Sequence, residues 1–292
     1  MKKKFTYMLF AIFIVLIAGY FIQKGFQGVS EKEMLAQKSL VAFDSSQADI
    51  IEIQKPGKTF TISKKDSVWY VGKYPAIENQ VKTLLDGVKD AVVVAMVSNT
   101  LDQAGEFGLG SEKAQTFTFR SGGKILGKIT LGLKDPNSEM AYAIKEGDRK
   151  IYGIKNFSIA NLDGEWISML IDKTDKAEIQ KIEIDENGRK MNVEKAGAEW
   201  TVNGRKANQA KVDDFLNFIS TITAASLPEE SEIFSNLDSK ITITASSTEK
   251  ILEFGKKDDT GSYYYVKNPQ GLLFIVDKDT RDELFLKEWE LK

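Results

Sequence analysis

The chain has 292 residues, its 40 basic and 42 acidic side chains give a formal charge of −2, and it contains neither histidine nor cysteine. These absences exclude Ser-His-Asp triads, cysteine nucleophiles, histidine-based zinc sites and disulfides. A mildly acidic chain without a basic stripe is also a poor binder of nucleic acid, so we expect no nucleic-acid partner.

A segment of eighteen uncharged residues, Phe5 to Ile22, follows three consecutive lysines. As a helix it would rise about 27 Å, close to the roughly 30 Å hydrocarbon core of a bilayer. It is longer than the apolar region of a signal peptide, and no A-x-A-like site follows it, which favours an uncleaved anchor over a removed signal. Because flanking lysines stay cytoplasmic, we predict a single-pass membrane protein whose N-terminus is cytoplasmic and whose bulk is extracytoplasmic. Residues 1–22 are the predicted tip and transmembrane anchor, and residues 5–22 have the lipid bilayer as their partner.

After a predicted polar stem at residues 23–43, the sequence repeats itself. Ile51-Glu52-Ile53 recurs as Ile182-Glu183-Ile184, an offset of 131, and later the offset falls to between 122 and 124. The repeat predicts two similar domains, at 44–172 and 173–292. The further matched pairs are Trp69 with Trp200, Phe117-Thr118-Phe119 with Ile241-Thr242-Ile243, Tyr142 with Tyr264, and Trp166 with Trp289.

Each copy has the same predicted order of elements. Two strands around a turn and a strand bearing the first Trp precede a helix whose apolar residues, such as Val81, Leu84 and Val88, form one stripe. A variable connection, 98–113 or 226–238, leads to four short strands and a final short helix. We therefore predict an α+β fold class: one N-terminal transmembrane helix, then two tandem, mostly antiparallel α+β domains. Trp166 and Trp289 are both predicted to be buried.

Several short motifs in the first copy together resemble domain-of-unknown-function family 4340. They are Tyr74-Pro75-Ala76 before the helix, Phe107-Gly108-Leu109 in the connection, Leu131-Gly132 on a strand and Tyr142 on the next. The resemblance covers 44–172 well and 173–292 as a divergent copy without the Tyr-Pro and Phe-Gly-Leu elements. It implies a membrane-anchored bacterial domain of the kind often found beside gliding-motility-type ABC transporters, with transporter subunits as partners. It brings no catalytic residues.

Polar clusters offer weak candidates for chemistry. Asp135, Asn137 and Glu139 in one loop, and the matching Asp258-Asp259, supply a fragment of a calcium ligand set, and polar turns are the favoured interpretation. A Ser-Lys pair around Ser111-Glu112-Lys113 would need a desolvated lysine, which no apolar context indicates. We therefore predict no catalytic, cofactor-binding or metal-binding residues and no cofactor.

The predicted function is that of a non-enzymatic binding or scaffold protein outside the membrane, accessory to an ABC-type transport system. A cell-envelope hydrolase that uses carboxylates or Ser-Lys, and a receptor for envelope glycan or a small ligand, are the alternatives. Phe107 and Leu109 are the candidate partner contacts, because recognition residues are commonly carried by loops on a rigid scaffold. Their alternative role is to plug the loop against its own domain.

Overall fold

The protein is mostly β-sheet. The structure, a computed structural model, describes residues 38–292 except 42, 111, 136–138, 158–161, 163, 230, 231 and 233–236. Strands account for 48% and helices for 17% of this part. The α+β prediction is therefore wrong, because short helices only cover sheets that make up most of the fold.

The described helices are too short or too polar to cross a membrane. The expected fold class included a transmembrane helix at residues 5–22. Residues 5–22 and most of the stem at 23–43 lie outside the part of the chain that the structure describes. The described residues form two compact units that divide between Ile167 and Ser168.

The first unit is a ten-stranded sheet in which every hydrogen-bonded pair is antiparallel. Its order is β1-β6-β10-β9-β8-β7-β2-β3-β4-β5. The strands are β1 (Lys38–Ser39), β2 (Ile50–Lys55), β3 (Lys58–Lys65), β4 (Val68–Val71), β5 (Tyr74–Pro75), β6 (Val92–Ser98), β7 (Gln115–Ser121), β8 (Lys124–Lys134), β9 (Ala141–Lys145) and β10 (Ile151–Lys155).

The second unit has an eight-stranded antiparallel sheet of order β15-β14-β13-β12-β17-β18-β19-β20 and a separate β11-β16 pair. The strands are β11 (Leu170–Lys173), β12 (Ile179–Glu186), β13 (Arg189–Ala196), β14 (Glu199–Val202), β15 (Arg205–Lys206), β16 (Thr221–Thr223), β17 (Ser239–Ala245), β18 (Thr248–Lys256), β19 (Tyr263–Lys267) and β20 (Leu273–Asp277).

One helix packs on each sheet at the same place in the chain order. Helix α1 (Glu78–Asp90) buries Val81, Leu84 and Val88. Helix α2 (Gln209–Ile219) buries Val212, Phe215, Leu216 and Ile219, and a short α3 (Lys278–Leu284) follows β20. The buried residues recur at i, i+3, i+4 and i+7, so the apolar stripe predicted from the sequence is the face that meets each sheet.

Strand pairing in the two units has the same register. Ile51 lies opposite Phe119 between β2 and β7, and Ile182 lies opposite Ile243 between β12 and β17. All four side chains are fully buried. The alternating Ile-x-Ile pattern sends these residues to one face of the strand, which explains why each sheet has its core on the helix side.

The final tryptophans do not occupy equivalent places. Trp166 is 5% exposed and packs beside Phe60, whereas Trp289 is 73% exposed on the 3-10 turn Glu288–Glu290. The prediction that Trp289 is buried is wrong. Leu291, which is completely buried, closes the second core instead.

Candidate functional site

The Phe-Gly-Leu segment of the first unit packs onto its own sheet. Leu109 is 7% exposed, and the Phe107 ring lies 4.7 Å from the Tyr142 ring, measured between centroids. The Phe107 carbonyl accepts a hydrogen bond from Leu133 N at 3.2 Å. The loop is therefore fixed to strands β8 and β9 by side-chain and backbone contacts.

Two glycines allow this close approach. A Cβ on Gly132 would lie 2.4 Å from the Phe107 carbonyl oxygen, and a Cβ on Gly108 would lie 2.3 Å from the Leu133 side chain. Gly108 also has a φ of +64°, which side chains with a Cβ rarely adopt. Three of the four motifs that carried the family resemblance, Phe107-Gly108-Leu109, Leu131-Gly132 and Tyr142, therefore meet in space, where they fix the connection to the sheet.

The connection leaves Leu109 and Phe107 in different environments. Leu109 has little surface left for a partner, while Phe107 is only partly buried by its contact with Tyr142. Burial raises the pKa of the Tyr142 hydroxyl, and the negative charge and hydrogen bond of Asp135 raise it further. Tyr142 thus stays neutral, and it contacts both the Phe107 ring and Asp135, the residue that follows β8.

The second unit anchors its connection through a different set of side chains on the corresponding strands. In the first unit Leu131 pairs with Ala143, and Tyr142 directly precedes Ala143. In the second unit Phe254 pairs with Val266, and Tyr265 directly precedes Val266. Tyr265, rather than Tyr264, therefore takes the place of Tyr142. The Tyr265 hydroxyl donates to Glu232 Oε2 at 2.9 Å. Lys257 forms an ion pair with the same carboxylate and lies over the Tyr265 ring.

These contacts shift the ionisation of all three groups. The hydrogen bond from Lys257 holds the pKa of the Glu232 carboxyl below its usual value. Conversely, the hydrogen bond to Glu232 raises the pKa of the Lys257 ammonium, and burial raises the pKa of the Tyr265 hydroxyl. The cluster is therefore a charged clamp on residue 232 of the connection, in a unit that lacks a Phe-Gly-Leu segment.

The acidic loops considered for calcium do not gather a ligand set in the described part of the chain, where no group of three acidic residues is close enough to hold a metal ion. Asp258 instead accepts a hydrogen bond from the Thr260 hydroxyl, which lowers the pKa of its carboxyl. Asn137 and Ser111 lie outside the described residues.

One lysine does lie beside a hydroxyl and a carboxylate, in the second unit. Lys250 Nζ donates to Thr174 Oγ1 at 2.8 Å and to Asp172 Oδ1 at 3.0 Å, and the Thr174 hydroxyl donates to Asp172 Oδ2 at 2.8 Å. A lysine that acts as a base must accept the proton of the hydroxyl, and these hydrogen bonds run in the opposite direction. Through these hydrogen bonds Lys250 connects β18 to Asp172 in β11 and to Thr174, the residue that follows β11.

A groove on the second unit escaped the sequence interpretation. It has a volume of about 700 Å³ and runs beside helix α2, between that helix and the C-terminal segment. No sequence pattern indicated it, and Trp289, which directly precedes two of its lining residues, was assigned to the core by the repeat alignment. Its lining residues are Lys211, Asp214, Phe215, Asn217, Phe218, Glu283, Leu286, Glu290 and Leu291.

The chain matches the family described as "Domain of unknown function (DUF4340)" over residues 71–237, which is more than half of its length. The protein belongs to this family. The resemblance seen in the sequence is confirmed, and the matched region begins in β4 of the first unit and ends in the connection of the second. No curated protein and no solved structure matches the chain.

Proposed function

We propose that the protein is a binding or scaffold protein at the extracytoplasmic face of the membrane, accessory to an ABC-type transport system. The observation that carries the binding role is the partly buried Phe107 side chain, held against Tyr142 on a loop that is fixed to the sheet. An aromatic side chain whose position is set before contact loses little entropy when a partner binds. Unlike Leu109, Phe107 retains surface for that contact.

The proposed location rests on the N-terminal sequence. The uncharged segment 5–22 follows three lysines, which favours a cytoplasmic N-terminus and attachment of the rest of the chain to the outer face. A reporter that is active only after translocation, fused after Lys292, is expected to be active. The protein is expected to stay with membranes after an alkaline wash, and recovery of a soluble species that begins near Gln23 would contradict attachment.

The transport role rests on the family resemblance and has a direct test. The intact protein is captured from detergent-solubilised membranes, and the retained proteins are identified as wild type or as Phe107→Ser. We expect permease and ATPase subunits with the wild type and a loss of at least fivefold with Phe107→Ser. Met96→Ser, which removes another exposed apolar side chain of the first unit, is the matched control.

Two results would overturn the proposal. One is recovery of envelope glycan without transporter subunits. The other is equal capture by wild type and Phe107→Ser, because the ring would then contribute nothing to binding. Thermal unfolding of each variant separates a lost contact from a lost fold.

A further inference from the structure

The groove of the second unit has an apolar floor and lies along one face of a helix. Lys211, Asp214, Phe215 and Phe218 are spaced i, i+3, i+4 and i+7 on α2, so they form a single row. The C-terminal residues Leu286 and Leu291 complete the floor. The 11 residues of α2 are about 16 Å long, which matches two to three turns of a second helix laid alongside.

The first unit covers the corresponding helix face with its own chain. There the ring of Phe157 lies so close to Gly87 that a Cβ on Gly87 would be 2.1 Å from it. The matching position on α2, seven residues after Lys211, is the half-buried Phe218. The first unit therefore covers this helix position with Phe157 from another part of its chain, whereas the second unit places the partly exposed Phe218 on the helix itself.

The rim of the groove is acidic. Asp214, Glu283 and Glu290 face it together with a single base, Lys211. The nearby lysines are engaged elsewhere: Lys176 with Asp213, Lys287 with Glu186 and Lys292 with Glu288. In the part of the chain that the structure describes, Asp214 and Glu283 have no ion-pair partner, so their charges remain available to an occupant.

Trp289 adds a large exposed ring directly before two of the lining residues, Glu290 and Leu291. Tryptophan is among the residues that contribute most to protein interfaces, since it buries a large area with few rotatable bonds. Trp289 is 73% exposed, so a partner bound beside it could still bury most of this side chain.

We propose that this groove binds an amphipathic helix of a partner protein, with apolar side chains on one face and lysine or arginine on the other. Phe218 and Leu286, the partly exposed apolar residues of the groove, contact the apolar face, and Asp214 and Glu283 pair with basic side chains along its edges. An anionic membrane surface does not fit, because the same carboxylates would repel it. The site belongs to the second unit, whereas Phe107 belongs to the first, and it does not depend on the proposed transport role.

The test uses the full chain in detergent and a labelled 18-residue peptide of leucine and lysine in helical spacing, with binding followed by fluorescence anisotropy. The double variant Asp214→Lys/Glu283→Lys is expected to weaken binding at least tenfold. Glu249→Lys/Asp259→Lys, which makes the same change in net charge at exposed positions outside the groove, is expected to change binding less than twofold. Wild type should also show a blue shift of tryptophan fluorescence on binding, and Trp289→Phe should lose it.

Other outcomes would overturn the proposal. Equal weakening by both charge variants would indicate general electrostatic attraction rather than this groove. Binding of a leucine–glutamate peptide as tight as that of the lysine peptide would exclude the acidic rim as the determinant. Self-association of the wild type that Asp214→Lys/Glu283→Lys abolishes, without peptide binding, would identify a second copy as the occupant.

Discussion

The backbone carbonyls of Trp166 and Leu291 accept equivalent hydrogen bonds in the two units, each from the first turn of the helix that covers its sheet. Trp166 O accepts a hydrogen bond from Ile77 N, at the start of α1, at 2.9 Å. Leu291 O accepts one from Asn208 N, at the start of α2, also at 2.9 Å. Both residues are buried, so each ties the end of its unit to the first turn of the helix and fills the adjoining core.

Because Leu291 rather than Trp289 takes the place of Trp166, alanine substitution should destabilise the protein strongly at Trp166 and at Leu291 but little at Trp289. Trp166→Ala is expected to cost about 3 to 5 kcal/mol of unfolding free energy and Leu291→Ala about 2 to 5 kcal/mol, since each leaves a cavity. Trp289→Ala is expected to change stability by no more than about 0.5 kcal/mol, because its ring is already in water. Denaturant unfolding followed by circular dichroism measures all three. A large loss for Trp289→Ala would contradict the placement of Leu291.

The strand pattern was predictable from the sequence because its causes are local. Alternation in Ile51-Glu52-Ile53 and in Ile182-Glu183-Ile184 decides which side chains face the core. At Asn187-Gly188 both residues have positive φ, as a two-residue hairpin requires, so the turn follows from residue type. The helix stripes follow from spacing in the same way.

The ends of the repeat were not predictable in this way. Whether Trp289 or Leu291 enters the core depends on how far the chain has travelled after β20, and no local pattern records that length. Likewise Tyr264 and Tyr265 differ by one position along a strand, and only pairing across to Gly255 decides which of them takes the place of Tyr142. The α+β prediction was wrong because the helices, although present at the expected places, are short beside the strands, and residue spacing does not give that proportion.

The lock between the connection and β8 predicts that Gly132→Ala destabilises the first unit. Its Cβ would meet the Phe107 carbonyl oxygen, a backbone atom, so the loop must move, at a cost of about 1 to 3 kcal/mol. Gly105→Ala on the same loop is the control, because no atom lies within 4 Å of its Cβ. Thermal unfolding of the two variants makes the comparison, and equal stabilities would show that the loop is not held there.

The clamp on Glu232 predicts a dependence of stability on pH. The pKa of this carboxyl is lowered by Lys257, so the stabilisation is present above its unfolded value of 4.5 and disappears as pH falls through the lower folded value. Glu232→Gln should therefore be less stable than wild type at pH 7, and the difference should shrink as pH falls below 4.5. The measurement is the free energy of unfolding at each pH.

Glu249→Gln is the control for that pH series. Glu249 is exposed and forms no ion pair among the described residues, so its removal should leave the curve of the wild type unchanged. A difference between wild type and Glu232→Gln that stays constant as pH falls below 4.5 would assign the effect to packing of the connection rather than to the charge of the carboxylate.

The ion pair between Lys250 and Asp172 is expected to contribute more to the stability of the second unit than any other ion pair described there. Asp172 is 5% exposed, so Lys250→Met would leave a buried carboxylate without its cation, at a cost of about 3 to 5 kcal/mol. Replacing both residues, as Lys250→Met/Asp172→Asn, should cost less than Lys250→Met alone, because no unpaired charge then remains. Denaturant unfolding of the single and double variants gives the coupling energy. Lys256→Met, at the exposed end of the same strand, is the control. If the double variant is no more stable than Lys250→Met, the lysine acts through packing of its hydrocarbon stem and not through its charge.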